Sequence, residues 1–122
     1  MKKHILLIDD EPAWLKLVSQ LLTSEGYTVK GVATAVEALD LLAKFKPDLI
    51  VSDLRMPDMN GFDLLEKIKT LPRLSATPVV FLSAIDDFHA KKVAKELGAA
   101  GCITKPIERG DLLSSLKQFL PR

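Results

Sequence analysis

Ile5-Leu6-Leu7-Ile8-Asp9-Asp10-Glu11-Pro12-Ala13-Trp14 is the stretch whose reading decides the fold. Four consecutive aliphatic residues, with no polar alternation, read as a short strand buried on both faces, the kind found in parallel sheets. The run stops at two aspartates. Pro12 then offers a fixed φ and no N–H, which suits the first turn of a helix. Leu15, Val18 and Leu22 follow at helical spacing and should face a sheet, while Trp14, Leu17 and Leu21 form a second stripe rotated off the first. Gly26 closes the pattern as a C-cap. The lysines ahead of the run suggest a secretion signal, but the apolar segment is too short and ends in acid.

The same unit recurs outward along the chain. Leu49 to Val51, Val79 to Leu82 and Cys102 to Ile103 are further apolar runs ending at polar residues, and Tyr27 to Val32 is a weaker one that Gly31 is expected to break. Between them lie helical patterns. Thr34 with Glu37 forms a capping-box signature. Residues 62–71 follow Gly61, residues 86–97 are stopped by Gly98, and residues 108–120 are stopped by Pro121. The order βαβαβαβαβα predicts an α/β fold: a five-stranded, doubly wound parallel sheet with helices on both faces. A chain of 122 residues is one domain's worth, so a single domain over residues 1–122 is expected, with no second domain to receive a signal.

Composition excludes several classes. Lys plus Arg is 17 against 16 for Asp plus Glu, a net charge of +1, which gives no electrostatic case for nucleic acid or a membrane surface. No stretch approaches the roughly 18 apolar residues of a membrane span. The single cysteine, Cys102, rules out an internal disulfide and is compatible with a reducing cytoplasm, the expected location.

The chemistry lies at the carboxyl ends of the strands. The first strand ends at Asp9-Asp10, the third at Asp53, the fourth at Ser83-Ala84, and the fifth just before Lys105-Pro106. Open α/β sheets form sites outside these ends. Three carboxylates, a hydroxyl and an ammonium should therefore converge. Crowded carboxylates repel unless they bind a proton or a cation. An oxygen-rich set with room for water suits Mg²⁺. A carboxylate is also a competent nucleophile toward phosphorus, and phosphoryl transfer needs mainly positioning and charge neutralisation. Taken singly, each feature has a plainer explanation. An aspartate or serine after a strand is usually a helix cap, and Lys-Pro is usually a turn. The plain explanation weakens because all fall at the right ends of the right strands.

At these residues the sequence closely resembles the receiver domain of bacterial two-component response regulators. The resemblance runs through Asp9-Asp10-Glu11-Pro12, Asp53-Leu54-Arg55-Met56-Pro57-Asp58-Met59-Asn60-Gly61-Phe62-Asp63, Phe81-Leu82-Ser83-Ala84, Gly98-Ala99-Ala100-Gly101 and Ile103-Thr104-Lys105-Pro106. It implies that Asp53 is the phosphoacceptor and that Mg²⁺ is held by Asp10, Asp53 and the backbone carbonyl of Arg55, with Asp9 acting through water. It implies that Lys105 pairs with the phosphoryl oxygens and that Ser83 hydrogen-bonds the phosphoryl group. The implied donor is a phosphohistidine on a sensor histidine kinase or histidine phosphotransfer protein, and the implied receiver of the signal is a downstream protein or output domain. The implied strand order is 2-1-3-4-5, known for the chemotaxis member of the family, and the Lys105-Pro106 bond is expected to be cis. Such a domain is a phosphoacceptor switch that phosphorylates and dephosphorylates itself, not a turnover enzyme. Arg55 and Ile85 fall at positions that tune self-dephosphorylation in the family.

One departure stands out. Receivers usually carry Tyr or Phe where this chain has Cys102, so Ser83 and Cys102 form a switch pair lacking its aromatic half. The plain reading of Cys102 is a small, partly buried residue. Rival functions fit less well. A flavodoxin-type binder would cradle phosphate with small or hydroxyl residues, whereas Asp9-Asp10-Glu11 repels it. A haloacid-dehalogenase-type phosphatase wants an acid where Arg55 stands. The remaining alternative is a phosphorylation-independent adaptor built on the receiver fold.

Overall fold

The computed structural model describes residues 3–84, 88–105 and 109–120, without the side chains of residues 83–84, 105 and 109–110. The first aliphatic run is strand β1 (His4–Ile8), and the four later runs are β2 (Thr28–Val32), β3 (Leu49–Asp53), β4 (Val79–Ala84) and β5 (Gly101–Lys105). They form one parallel sheet in the order β2-β1-β3-β4-β5, the order expected for a receiver. Helices α1 (Pro12–Ser24), α2 (Ala35–Leu42), α3 (Gly61–Lys69), α4 (Phe88–Glu96) and α5 (Arg109–Phe119) connect and follow them.

Period-two side-chain alternation along each strand builds two cores. Leu6, Ile8, Ile50 and Phe81 point to one face, where Ala38 and Leu42 of α2, Leu64 and Ile68 of α3, and Ala90 and Ala94 of α4 cover them. Ile5, Leu7, Val51 and Leu82 point to the other face, under Val18 and Leu22 of α1 and Leu112 and Leu116 of α5. Both faces of the sheet are thus sealed along the inner strands β1, β3 and β4, whereas the edge strand β2 keeps Lys30 and Gly31 exposed. That explains why the inner strands read as unbroken apolar runs.

The helix signals behave as their chemistry dictates. Pro12 is the first residue of α1, and Gly26 takes φ +95° beyond its end. Thr34 accepts a hydrogen bond from the Glu37 N–H at 3.1 Å and starts α2. Asn60 does the same for Asp63 at 3.0 Å, so α3 begins at Gly61 itself. Strands run further than their apolar cores suggest, because ladder pairing extends them: Asp53 pairs with Leu82, and Lys105 with Ala84.

The expected break at Gly31 does not occur. Gly31 pairs in register with Leu7 inside a continuous β2. A Cβ built there would lie 3.1 Å from Cδ1 of Leu15, so the missing side chain makes room for α1 to pack on the strand. On α1, Val18 and Leu22 are buried and Leu15 half-buried, as the spacing predicts. The second stripe divides. Trp14 and Leu21 pack against the core, and Leu17 is 41% exposed. Among the described residues, no helix is long and apolar enough to cross a membrane.

Candidate functional site

The site grows from two adjacent strand ends. β1 and β3 pair directly, Ile8 opposite Ser52, so the residues that follow each are neighbours. Asp9 leaves β1 with its N–H donating to the Val32 carbonyl at 3.1 Å, which ties the turn to the end of β2. Its carboxylate is buried and accepts from the Glu11 N–H at 2.9 Å. Asp10 is exposed. Asp53, the last residue of β3, is half-buried, and its Oδ1 accepts from the Leu54 N–H at 2.8 Å. Asp9, Asp10 and Asp53 each bring an oxygen within 4.8 Å of the others.

That spacing can be tested against Mg²⁺. The ion binds oxygen at about 2.0–2.1 Å, so two of its direct ligands are at most about 4.2 Å apart. Oxygens that all lie within 4.8 Å of one another reach that spacing with at most a rotamer adjustment or with one ligand acting through water. Hard oxygen donors, one of them on an exposed residue, are the donor chemistry that Mg²⁺ prefers. The residues present fit the ion.

The other expected site residues are placed by backbone only, or not at all. Ser83 lies one residue past Leu82, the partner of Asp53, and pairs with Thr104. Lys105 ends β5. Both therefore sit at the carboxyl edge, but their side chains lie outside the described residues, as do Ile85 and the whole of Pro106. Arg55 is exposed, in the loop between β3 and α3. Cys102 is half-buried away from the acids. It stands opposite Phe81 and packs against the core, beside a shallow groove between α4 and β5 that Ala94, Ala99 and Lys95 also line.

Two further residues bear on the site, and sequence reasoning passed over both. The buried Ser52 hydroxyl lies 2.9 Å from the Asp53 carbonyl oxygen and 3.9 Å from the Met56 sulfur. Asp58 reaches back to α2, accepting from Ala35 N–H at 3.1 Å and Val36 N–H at 2.8 Å. These bonds hold the Asp58 carboxyl below its ordinary range, the Val36 bond most strongly. No local pattern announces either contact. The Asp58 partners lie 23 and 22 residues away.

An acidic trio at the carboxyl edge of a 2-1-3-4-5 parallel sheet defines a class, and comparison with known proteins agrees. The chain belongs to the response regulator receiver domain family, which residues 5–117 match. It is 36% identical over 117 residues to the transcriptional regulatory protein GlrR of Escherichia coli K12, covering 96% of this chain and 26% of that protein. The chain thus spans about a quarter of that relative's length. It is 29% identical over 121 residues to sporulation initiation phosphotransferase F of Bacillus subtilis 168, covering 99% of this chain and 96% of that protein. Among solved structures, the chemotaxis response regulator CheY4 of Vibrio cholerae superimposes with a TM-score of 0.93 at 31% identity, covering 98% of this chain and 100% of that one. This chain is therefore a receiver domain of two-component signalling. Receivers of this family take phosphoryl groups from histidine kinases, bind Mg²⁺ at an acidic pocket and act on output domains. No feature favours the phosphate-independent adaptor.

Proposed function

We propose that Asp53 is the phosphoacceptor of this receiver, that one domain spans residues 1–122, and that Asp10, Asp53 and the Arg55 carbonyl hold Mg²⁺ directly while Asp9 holds it through water. The observation that carries the reading is the convergence of Asp9, Asp10 and Asp53 to within 4.8 Å from two paired strands. A carboxylate oxygen of Asp53 attacks the phosphorus of a phosphohistidine. The new O–P bond forms as the P–N bond breaks, and the electron pair returns to the imidazole. Bound Mg²⁺ supplies positive charge for the phosphoryl oxygens. Lys105 and Ser83, at the same edge by backbone position, complete that neutralisation from the β4–β5 side. Asp9, fixed by Glu11 and Val32, keeps the acidic turn in place throughout. Ser83 then reports the new charge toward the half-buried Cys102 on β5. The partners are a sensor histidine kinase or histidine phosphotransfer protein upstream and a protein or output domain downstream, all cytoplasmic. Self-phosphorylation by small donors and self-dephosphorylation belong to the same site.

The test uses acetyl phosphate and mass spectrometry. The wild-type protein should gain one phosphoryl group in Mg²⁺ and none in EDTA. Asp53→Asn should gain none, and Asp10→Asn should require more Mg²⁺. Undiminished phosphorylation of Asp53→Asn would remove Asp53 from this role.

A further inference from the structure

We infer that Asp58 is a positioning residue for the metal site: by clamping the β3–α3 loop onto α2, it sets where the Arg55 carbonyl points. The inference rests on the Mg²⁺ reading above.

The loop from Leu54 to Asn60 has no regular structure, so its order must come from particular ties. Its two ends are closed together by the Gly61 N–H, which donates to the Leu54 carbonyl at 2.7 Å. Its far end is held by Asn60, which caps α3. Met56 and Met59 rest against the core on either side of Asp58, and the Asp58 carboxylate adds the directional tie of this span to α2. Both of its oxygens are used, one on Ala35 N–H and one on Val36 N–H, and two such bonds fix orientation as well as distance. The anchor is rigid, since Ala35, Ala38 and Leu42 of α2 are completely buried. These donors are two of the N–H groups that open a helix without an intrahelical partner, and Thr34 takes the Glu37 N–H beside them. A carboxylate is favoured there by the helix dipole as well.

The connection also reaches the other half of the site. The segment that enters α2 begins at Val32, whose carbonyl accepts from the Asp9 N–H at 3.1 Å. One short stretch, Val32 to Val36, therefore holds the Asp9 turn at one end and the Asp58 loop at the other. The ties between β1, α2 and the β3–α3 loop are made by backbone groups and one carboxylate outside the acidic trio. They can set the spacing of the metal ligands before any ion arrives. A loop without the Asp58 tie would leave more of its ordering to the ion, and that ordering entropy is subtracted from affinity.

The experiment measures Mg²⁺ affinity by calorimetry in wild type, Asp58→Ala, Asp58→Asn and Asp48→Ala, with the Mg²⁺ dependence of phosphorylation by acetyl phosphate alongside. Partners of metal ligands typically contribute 10–100-fold to affinity. Asp58→Ala should bind Mg²⁺ about 10-fold more weakly, at the low end of that range because one ligand among several is affected. At saturating Mg²⁺ its phosphorylation rate should return to wild type, a change in the half-saturating concentration and not in the limiting rate. Asp58→Asn keeps one acceptor oxygen and should fall between. Asp48→Ala, which loses a hydrogen bond at the opposite end of β3, should bind Mg²⁺ as wild type does, so lost stability alone does not mimic the effect. Equal affinity in wild type and Asp58→Ala, or a lowered limiting rate with unchanged half-saturation, overturns the inference and leaves the metal site standing. A wild-type protein that binds no Mg²⁺ overturns the metal reading, and this inference with it.

Discussion

The two ends of β3 invite comparison, because an aspartate stands at each. Asp48 immediately precedes the strand, and Asp53 is its last residue. At the amino end, Asp48 Oδ2 accepts from the His4 N–H at 2.7 Å, and the Asp48 N–H donates to the His4 carbonyl at 2.7 Å. That carboxylate closes the mouth of the β1–β3 ladder, and no cation is needed to explain it. At the carboxyl end, Asp53 meets two more carboxylates. The same residue type on the same strand is a structural acceptor where it stands singly against backbone donors. It becomes a candidate reactive group where the topology gathers like charges. Its neighbours in space, and not its place beside a strand, decide between the two roles.

The largest expected difference is in phosphorylation. Asp48→Ala should accept phosphate from acetyl phosphate to the wild-type extent, whereas Asp53→Asn should accept none. If Asp48→Ala also failed while remaining folded, the separation between the two ends would be broken.

Stability should separate them by sign. Removing the Asp48 acceptor leaves the His4 N–H short of a partner, and Asp48→Ala should lose about 1 kcal/mol. Asp53→Asn removes one of three like charges and should gain stability on the order of 1 kcal/mol in metal-free protein at low salt. Adding Mg²⁺ at a hundred times its dissociation constant should raise wild-type stability by about 2.7 kcal/mol and Asp53→Asn by less. Urea unfolding with and without Mg²⁺ checks all three. A loss of stability in metal-free Asp53→Asn would mean that the carboxylates are not repelling one another.

Much of this was legible in the sequence, for identifiable reasons. Strands buried on both faces must be unbroken apolar runs, so Ile5 to Ile8 and Val79 to Leu82 marked themselves, and the strict alternation of elements then forced a parallel sheet. Since all its strands point one way, their terminal residues had to share an edge, which brought Asp9, Asp10 and Asp53 together on paper. What could not be read was anything set by contact between distant segments. Gly31 looked like a strand breaker because its reason, the side chain of Leu15, lies on another element. Which members of the second stripe on α1 would pack was not readable either, since the core that Trp14 and Leu21 meet is built largely by other elements. Asp58 sat unremarked between Pro57 and Met59, since its meaning depends on α2.

The smallest expected effect concerns that third aspartate, which joins the structural role of Asp48 to the neighbourhood of Asp53. Hydrogen bonds from Val36 and Ala35 stabilise the Asp58 carboxylate and lower its pKa from the ordinary 3.8 in the folded protein, against the smaller opposing effect of burial. A carboxyl group depressed on folding stabilises the native state fully above its unfolded value. That contribution declines as pH falls below the ordinary value and is gone once pH passes below the folded value. The stability difference between wild type and Asp58→Ala should therefore be constant from neutrality down to the upper edge of the carboxylate range and then shrink as acid is added. Measuring the difference in metal-free protein keeps Mg²⁺ linkage out of the comparison. A difference that stays constant, or grows, through the acid range would mean that Asp58 ties the loop to α2 by its shape and not by its charge, and Asp58→Asn should then hold the loop as well as the native residue does.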